Sequence, residues 1–422
     1  MKLSLTLLFV FLLLNSHAQS TKSNVDEELV PQYELPEILV SEKGRKIKKP
    51  EQWEKIRRPE ILHLFVQEVY GKVPGEIAPP EVIVYEDRGE AFGGKAIRKQ
   101  IDLVFEGNGR TLSVGVLMYL PKAASPAPVI LGYNFLGNHA IVDDPEIRIS
   151  ESWVRNNPSL GIVNNHFTEQ SRGFDAESWP VEKMLDAGFG LVTVYYGEVD
   201  PDYDDFENGI HPLFYKEGQD HPAADEWASI GAWAWGLSRV MDYLETDSDV
   251  NAKQVIVFGH SRLGKTALWA VASDQRFAAC ISNDSGCMGA ALSRRRFGET
   301  IGIANKNFPQ WFCGNFKKYS GFEDYLPIDQ HMLLALIAPR PLYVASATED
   351  LWSDPKGEFL SAQAASAVYR LYGLTAIDDE QMPSPEHPVG GVLSYHLRTG
   401  KHAVKPFDWE QYLQWAKEYV VH

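Results

Sequence analysis

The sequence predicts an α/β fold: a mostly parallel central sheet with helices on both faces and long loop insertions. Three observations predict it. Short apolar runs recur at 128–133, 190–195, 254–258, 278–282 and 341–345, each the width of a strand buried on both faces. Helical stretches at 181–187, 227–244 and 265–273 lie between them, and strands alternating with helices make a covered parallel sheet. The stretches 136–179, 197–225, 286–338 and 351–388 read as loops longer than ordinary connections, a length that usually builds a binding site or lid.

From the N-terminus, Lys2, an apolar run over 3–14 and the small-x-small triplet Ser16-His17-Ala18 read as an export leader covering 1–18. Residues 19–80 are charged and proline-rich, and read as an irregular wrap with a helix near 59–69. Two alternating stretches, 81–85 and then 96–105 with 112–120, the latter pair separated by Gly107-Asn108-Gly109, read as an antiparallel entry to the sheet. Antiparallel first and parallel later is the order of the α/β-hydrolases. The catalytic unit is expected over 81–422, as one elaborated domain with the wrap.

A formal net charge of −17 argues against nucleic acid as a partner, since binding phosphates needs a basic patch that displaces counterions. No stretch after the leader has the roughly 20 apolar residues of a membrane span, and no Cys near residue 18 offers a lipid anchor. The expected destination is export, to the periplasm or beyond. Only Cys280, Cys287 and Cys313 are present, so at most one internal bridge can form; Cys280 reads as a buried strand residue, and a Cys287–Cys313 bridge is conceivable.

The chemistry is concentrated at 254–265, where an apolar strand runs into a helix through Gly259-His260-Ser261-Arg262-Leu263-Gly264-Lys265. A serine at such a turn is a nucleophile elbow: Ser261 is held above the sheet at a helix N-terminus, with the Arg262 N–H aimed at a developing oxyanion. The usual second glycine, two after the serine, is Leu263, and Gly264 follows one place later. A turn that merely caps a helix is the bland alternative.

In this fold the order is serine, acid, histidine. His402, after the Gly400-Lys401 turn beyond the last strand at 392–397, is the expected base; His396, within that strand, is the second choice. Two carboxylates stand where one is needed. Asp350 follows the strand at 341–347 and ranks first, and Asp284 follows the preceding strand; each could instead cap a turn.

These residues resemble those of the glucuronoyl esterases, family 15 of the carbohydrate esterases, in their bacterial form. The resemblance runs from about 225 to 409. It is carried by the elbow, by Ser282-Asn283-Asp284-Ser285-Gly286-Cys287, by Arg294-Arg295-Arg296-Phe297-Gly298-Glu299-Thr300, by Phe308-Pro309-Gln310-Trp311-Phe312 and by Gly400-Lys401-His402. It implies hydrolysis of the ester between the 4-O-methyl-glucuronic acid of glucuronoxylan and a lignin alcohol, with no metal or organic cofactor. It implies Ser261 as nucleophile, His402 as base, Arg262 as the oxyanion group through backbone and guanidinium, and the acid at Asp284 or Asp350. Lys265, Glu299 and Trp352 match positions that hold the sugar's hydroxyls and ring; without the resemblance they read as a solvated lysine, a loop carboxylate and a core aromatic. Fungal members bridge cysteines placed immediately before the serine and after the histidine, where this chain has His260 and Ala403. The alternatives are another exported carbohydrate esterase, such as a xylan deacetylase, and a silent carbohydrate-binding relative.

Overall fold

In the computed structural model, which describes residues 23–421, ten strands form one sheet: β1 (Glu81–Ala91), β2 (Ala96–Gly107), β3 (Arg110–Pro121), β4 (Ala127–Asn134), β5 (Gly190–Tyr195), β6 (Val250–His260), β7 (Ala279–Asn283), β8 (Leu342–Ala347), β9 (Val389–Gly390) and β10 (Leu393–Arg398). The expected leader lies outside the described residues. The strand order is β1-β2-β3-β5-β4-β6-β7-β8-β10-β9. β1 to β3 enter antiparallel, β3 joins β5 antiparallel, and β5, β4, β6, β7, β8 and β10 run parallel. Between β2 and β3, Asn108 and Gly109 have φ of +49° and +69°, the left-handed pair whose twist suits a tight hairpin.

The helices that frame the sheet are α1 (Arg58–Phe65), α2 (Val181–Asp186), α3 (Ser229–Leu244), α4 (Arg262–Ser273), α5 (Ile301–Asn307), α6 (Gln330–Ala335), α7 (Pro355–Leu371) and α8 (Pro406–Tyr419). Along β6, Val255 and Val257 point to one core with α1, α3, α4 and α7, whereas Ile256 and Phe258 point to another with α2 and α8. This period of two, apolar on both faces, is why the parallel strands read as continuous apolar runs.

Two expectations need correcting. The wrap is helical from 50 to 70, longer than the helix expected, and it buries Trp53, Ile61, Phe65, Val69 and Tyr70 in the main core. The stretch 351–388 is not a loop throughout, because α7 occupies 17 of its residues, capped by the Asp354 carboxylate and opened by Pro355. Small residues dilute its apolar face; Phe359, Ala362, Ala365, Val368 and Tyr369 still recur at helical spacing and are buried. Cys280, Cys287 and Cys313 are all buried and unpaired. The carboxyl ends of β4 to β8 and β10 open on one edge of the sheet, the edge where open α/β folds place their ligands.

Candidate active site

Ser261 sits between the end of β6 and the first residue of α4 with φ +57° and ψ −132°, a conformation that costs a non-glycine residue about 1–3 kcal/mol and persists where the surroundings enforce it. Its N–H donates to the Asn283 carbonyl at 3.0 Å and its carbonyl accepts from Gly264 at 2.9 Å. A Cβ on Gly259 would stand 2.0 Å from the Leu263 carbonyl oxygen, and one on Gly264 2.9 Å from Ser285 Cβ and 3.1 Å from the Gly259 oxygen. The close approaches of this turn therefore fall on Gly259 and Gly264. Leu263 packs into the core and needs no glycine's freedom.

His402 lies in the turn after β10, and its Nδ1 is 2.6 Å from Asp350 Oδ2. Asp350 follows β8 and is buried; burial would raise its pKa, but the hydrogen bond and charge of His402 outweigh this and hold it below the ordinary carboxylate value. Asp284, after β7, is deeper. Its Oδ1 has no hydrogen-bond partner, and its Oδ2 accepts only a long bond from the Ala403 N–H at 3.4 Å. Burial, then the charges of Glu358 and Asp350, push Asp284 well above the ordinary value, against the opposing charge of Arg398, whose Nη2 lies 3.9 Å from Oδ2. His396 is fully buried, with Tyr343 Oη 3.0 Å from Nδ1 and Asp408 Oδ1 2.9 Å from Nε2. With both nitrogens occupied, it is a packed strand residue.

As the first residue of α4, Arg262 presents a backbone N–H with no helical acceptor. Its guanidinium is tied down by a group that sequence reasoning missed. Asp202 Oδ2 lies 2.7 Å from Arg262 Nε and accepts from Tyr196 Oη at 3.2 Å, while its Oδ1 accepts from Gln310 Nε2 and Trp311 Nε1, both at 2.8 Å. Tyr196 Oη also accepts from Arg262 Nη2 at 3.1 Å, and the rings of Phe135, Tyr196 and Trp311 lie 4.8, 5.5 and 5.9 Å from the guanidinium carbon. Tyr196, directly after β5, stands where a strand's carboxyl end could have flagged it. Asp202 is one of several acids in a long loop and carried no such flag.

Lys265, on α4, is buried; its Nζ donates to the Ser285 carbonyl at 2.7 Å and to Glu299 Oε2 at 3.3 Å. Glu299 is buried too, its N–H donates to the Trp352 carbonyl at 2.9 Å, and its Oε1 has no donor. Trp352 is 44% exposed. These three therefore adjoin one another: Lys265 is buried and not solvated, Glu299 is a loop carboxylate but a buried one, and Trp352 is half-exposed and not a core aromatic. A cavity of about 600 Å³ opens beside them, lined by Ser261, Arg262, His260 and His402 together with Trp153, Leu160, Trp179 and Phe308, but by none of Lys265, Glu299 and Trp352.

Among the described residues, the ligand-type atoms that converge are those of Asp284, Asp350 and His402, within 4.8 Å of one another. Two of the three are already joined by a hydrogen bond, the arrangement of a carboxylate orienting an imidazole. A strained serine, an imidazole backed by a carboxylate, and an arginine with an orphan backbone N–H, all lining one cavity, are the parts of acyl transfer through a covalent intermediate.

A family model described as "Glucuronyl esterase, fungi" matches residues 175–373. The chain is 50% identical over 407 residues to carbohydrate esterase MZ0003 of an unknown prokaryotic organism, covering 96% of this chain and 94% of that one. It is 28% identical over 354 residues to the 4-O-methyl-glucuronoyl methylesterase of Schizophyllum commune, covering 81% of this chain and 74% of that one. Among solved structures, a promiscuous CE15 esterase from a marine bacterial metagenome superposes with a TM-score of 0.88 at 49% identity, covering 94% of this chain and all of that one. A glucuronoyl esterase from Solibacter usitatus does so with 0.87 at 47%, covering 93% of this chain and 99% of that one. With the α/β-hydrolase fold and a near full-length match at this identity, the chain belongs to the glucuronoyl esterases, family 15 of the carbohydrate esterases.

Proposed function

We propose that this chain is a serine esterase that hydrolyses the ester joining 4-O-methyl-glucuronic acid of glucuronoxylan to an aromatic alcohol of lignin. The observation that carries the reading is the strained Ser261 lining one cavity with the Asp350-held His402 and the Asp202-held Arg262. Ser261 Oγ attacks the carbonyl carbon as His402 Nε2 takes its proton, and Asp350 accepts the Nδ1–H and stabilises the imidazolium. The oxyanion is met by the Arg262 N–H and guanidinium. Collapse breaks the bond to the alcohol, which leaves with the proton from His402. Water, deprotonated by the same base, then cleaves the glucuronoyl-serine ester. This chemistry calls on no metal or organic cofactor.

The sugar half falls to Lys265, Glu299 and Trp352. A buried carboxylate oxygen without a donor is costly, and a sugar hydroxyl would supply the donor that Glu299 Oε1 lacks. The aromatic walls of the neighbouring cavity suit the alcohol half. We also assign the protein to export through the leader at 1–18; no helix among the described residues is long and apolar enough to cross a membrane. N-terminal sequencing of secreted protein, beginning at Gln19, checks this.

The substrate test compares kcat/KM on benzyl glucuronate and on an aryl acetate. The expected result is a strong preference for the glucuronate, narrowed by about one to two orders of magnitude in Lys265→Ala or Glu299→Ala. Equal rates on the two esters, unmoved by either substitution, would show the wrong substrate.

A further inference from the structure

We propose that His260 is a positioning residue for the base: its imidazole, held by Asn283, is the surface on which the ring of His402 rests while that ring carries the serine's proton. The two ring centroids are 4.4 Å apart with planes inclined by 39°, and both rings line the cavity. His260 ends β6 and stands opposite Asn283 of β7 in the parallel register. Its Nδ1 donates to Asn283 Oδ1 at 2.6 Å, and Asn283 Nδ2 donates to Tyr412 Oη of α8 at 2.9 Å, so the amide is held from both ends. The edge of Phe135 closes another side, at 6.3 Å and 90°.

Two imidazoles in contact cannot both be charged without strong repulsion, so a ring that backs His402 must stay neutral when His402 becomes an imidazolium. The groups around His260 meet that requirement. Asn283 is uncharged, Tyr412 and Ser261 are hydroxyls, Phe135 is apolar, and the nearby carboxylate, Asp350, is bonded to His402. Burial, then the charge of His402, push His260 down to about 3. A neutral ring offers its electron-rich face to a cation. That attraction exists only after the proton has moved, so it lowers the barrier more than it tightens binding.

The inference rests on His402 being the base, and the test separates the two. His260→Ala, His260→Phe, Asn283→Asp and His402→Ala are assayed on benzyl glucuronate across the acid limb of the pH profile, with thermal unfolding of each. His260→Ala is expected to lower kcat about tenfold or more with KM nearly unchanged, and His260→Phe, which keeps an uncharged ring face, to recover most of it. Asn283→Asp keeps the shape but gives His260 a carboxylate partner; a His260 that takes a proton opposes the imidazolium of His402, so the acid limb moves up, and this move is absent when His260→Phe, whose ring takes no proton, is combined with Asn283→Asp. A purely structural role moves stability and leaves that limb in place. Parent-like kcat in His260→Ala, or an unmoved limb in Asn283→Asp, overturns the proposal while an inactive His402→Ala keeps the function above intact. An active His402→Ala brings down both.

Discussion

Asp202 accepts from Tyr196, Gln310 and Trp311, forms an ion pair with Arg262, and thereby fixes where the guanidinium points. Asp202→Asn removes the charge and leaves the shape. It is expected to lower kcat by about ten- to a hundredfold with little change in KM, because an aimed cation acts mainly on the developing oxyanion; a rise in KM alone would make Arg262 a substrate-binding group. The two acids next to His402 separate by the same reasoning. Asp350 is ionised and bonded to the ring, so Asp350→Asn should cost about two to four orders of magnitude in kcat. Asp284 makes no bond to the ring, and burial raises its pKa, so Asp284→Asn, which keeps its shape, should retain most of the parent's rate. A greater loss from Asp284→Asn than from Asp350→Asn would reverse the assignment of the acid.

At the scale of elements, the β6–α4 turn shows what a sequence reveals. Gly259, Ser261 and the flanking strand and helix were legible because a strained turn needs particular residues at particular spacings. Leu263 looked like a flaw only because sequence does not show which backbone atoms approach each other. Gly259→Ala drives a methyl into the Leu263 carbonyl and should cost several kcal/mol of stability together with the activity, measured by denaturant unfolding; near-parent stability would mean that the turn can relax. The parallel strands were legible for a similar reason, their apolar runs being the direct mark of two-sided burial. Helix α7 was not, since Gly357, Ser361 and Ser366 interrupt its apolar face and tertiary packing completes it. Asp202 and Asn283 were missed because their importance lies in contacts across 60 and 129 residues, to Arg262 and Tyr412, which no local pattern records.

At the scale of the whole molecule, buried carboxyls couple the fold to pH. Burial, against the hydrogen bonds from Ser150 and Gly115, pushes Glu198 up to about 7. Burial likewise pushes Glu358 up to about 8, although Ser346, Gly286 and Ser285 all bond to it. In the unfolded chain both ionise near the ordinary 4.5, so between 4.5 and their folded values the native state holds protons that the unfolded state has lost. Stability from these groups is full below 4.5 and falls as pH rises, by up to about 1.4 kcal/mol per unit for each group, until each folded value is passed. Asp284 adds to the same slope. Carboxylates with lowered values work the other way: Glu86, bonded to Arg98, and Asp350, where His402 outweighs burial, contribute above the ordinary value and lose that contribution as pH falls. The fold should therefore be most stable on the acid side of neutrality, above the range in which the paired carboxylates protonate. Glu358→Gln imitates the protonated side chain and keeps its acceptor for Ser285 and Gly286. Its melting temperature should match the parent's near pH 5 and exceed it increasingly toward pH 8, where the parent's Glu358 is half ionised. Parallel melting curves for parent and Glu358→Gln across that range would show that Glu358 does not hold its proton in the fold.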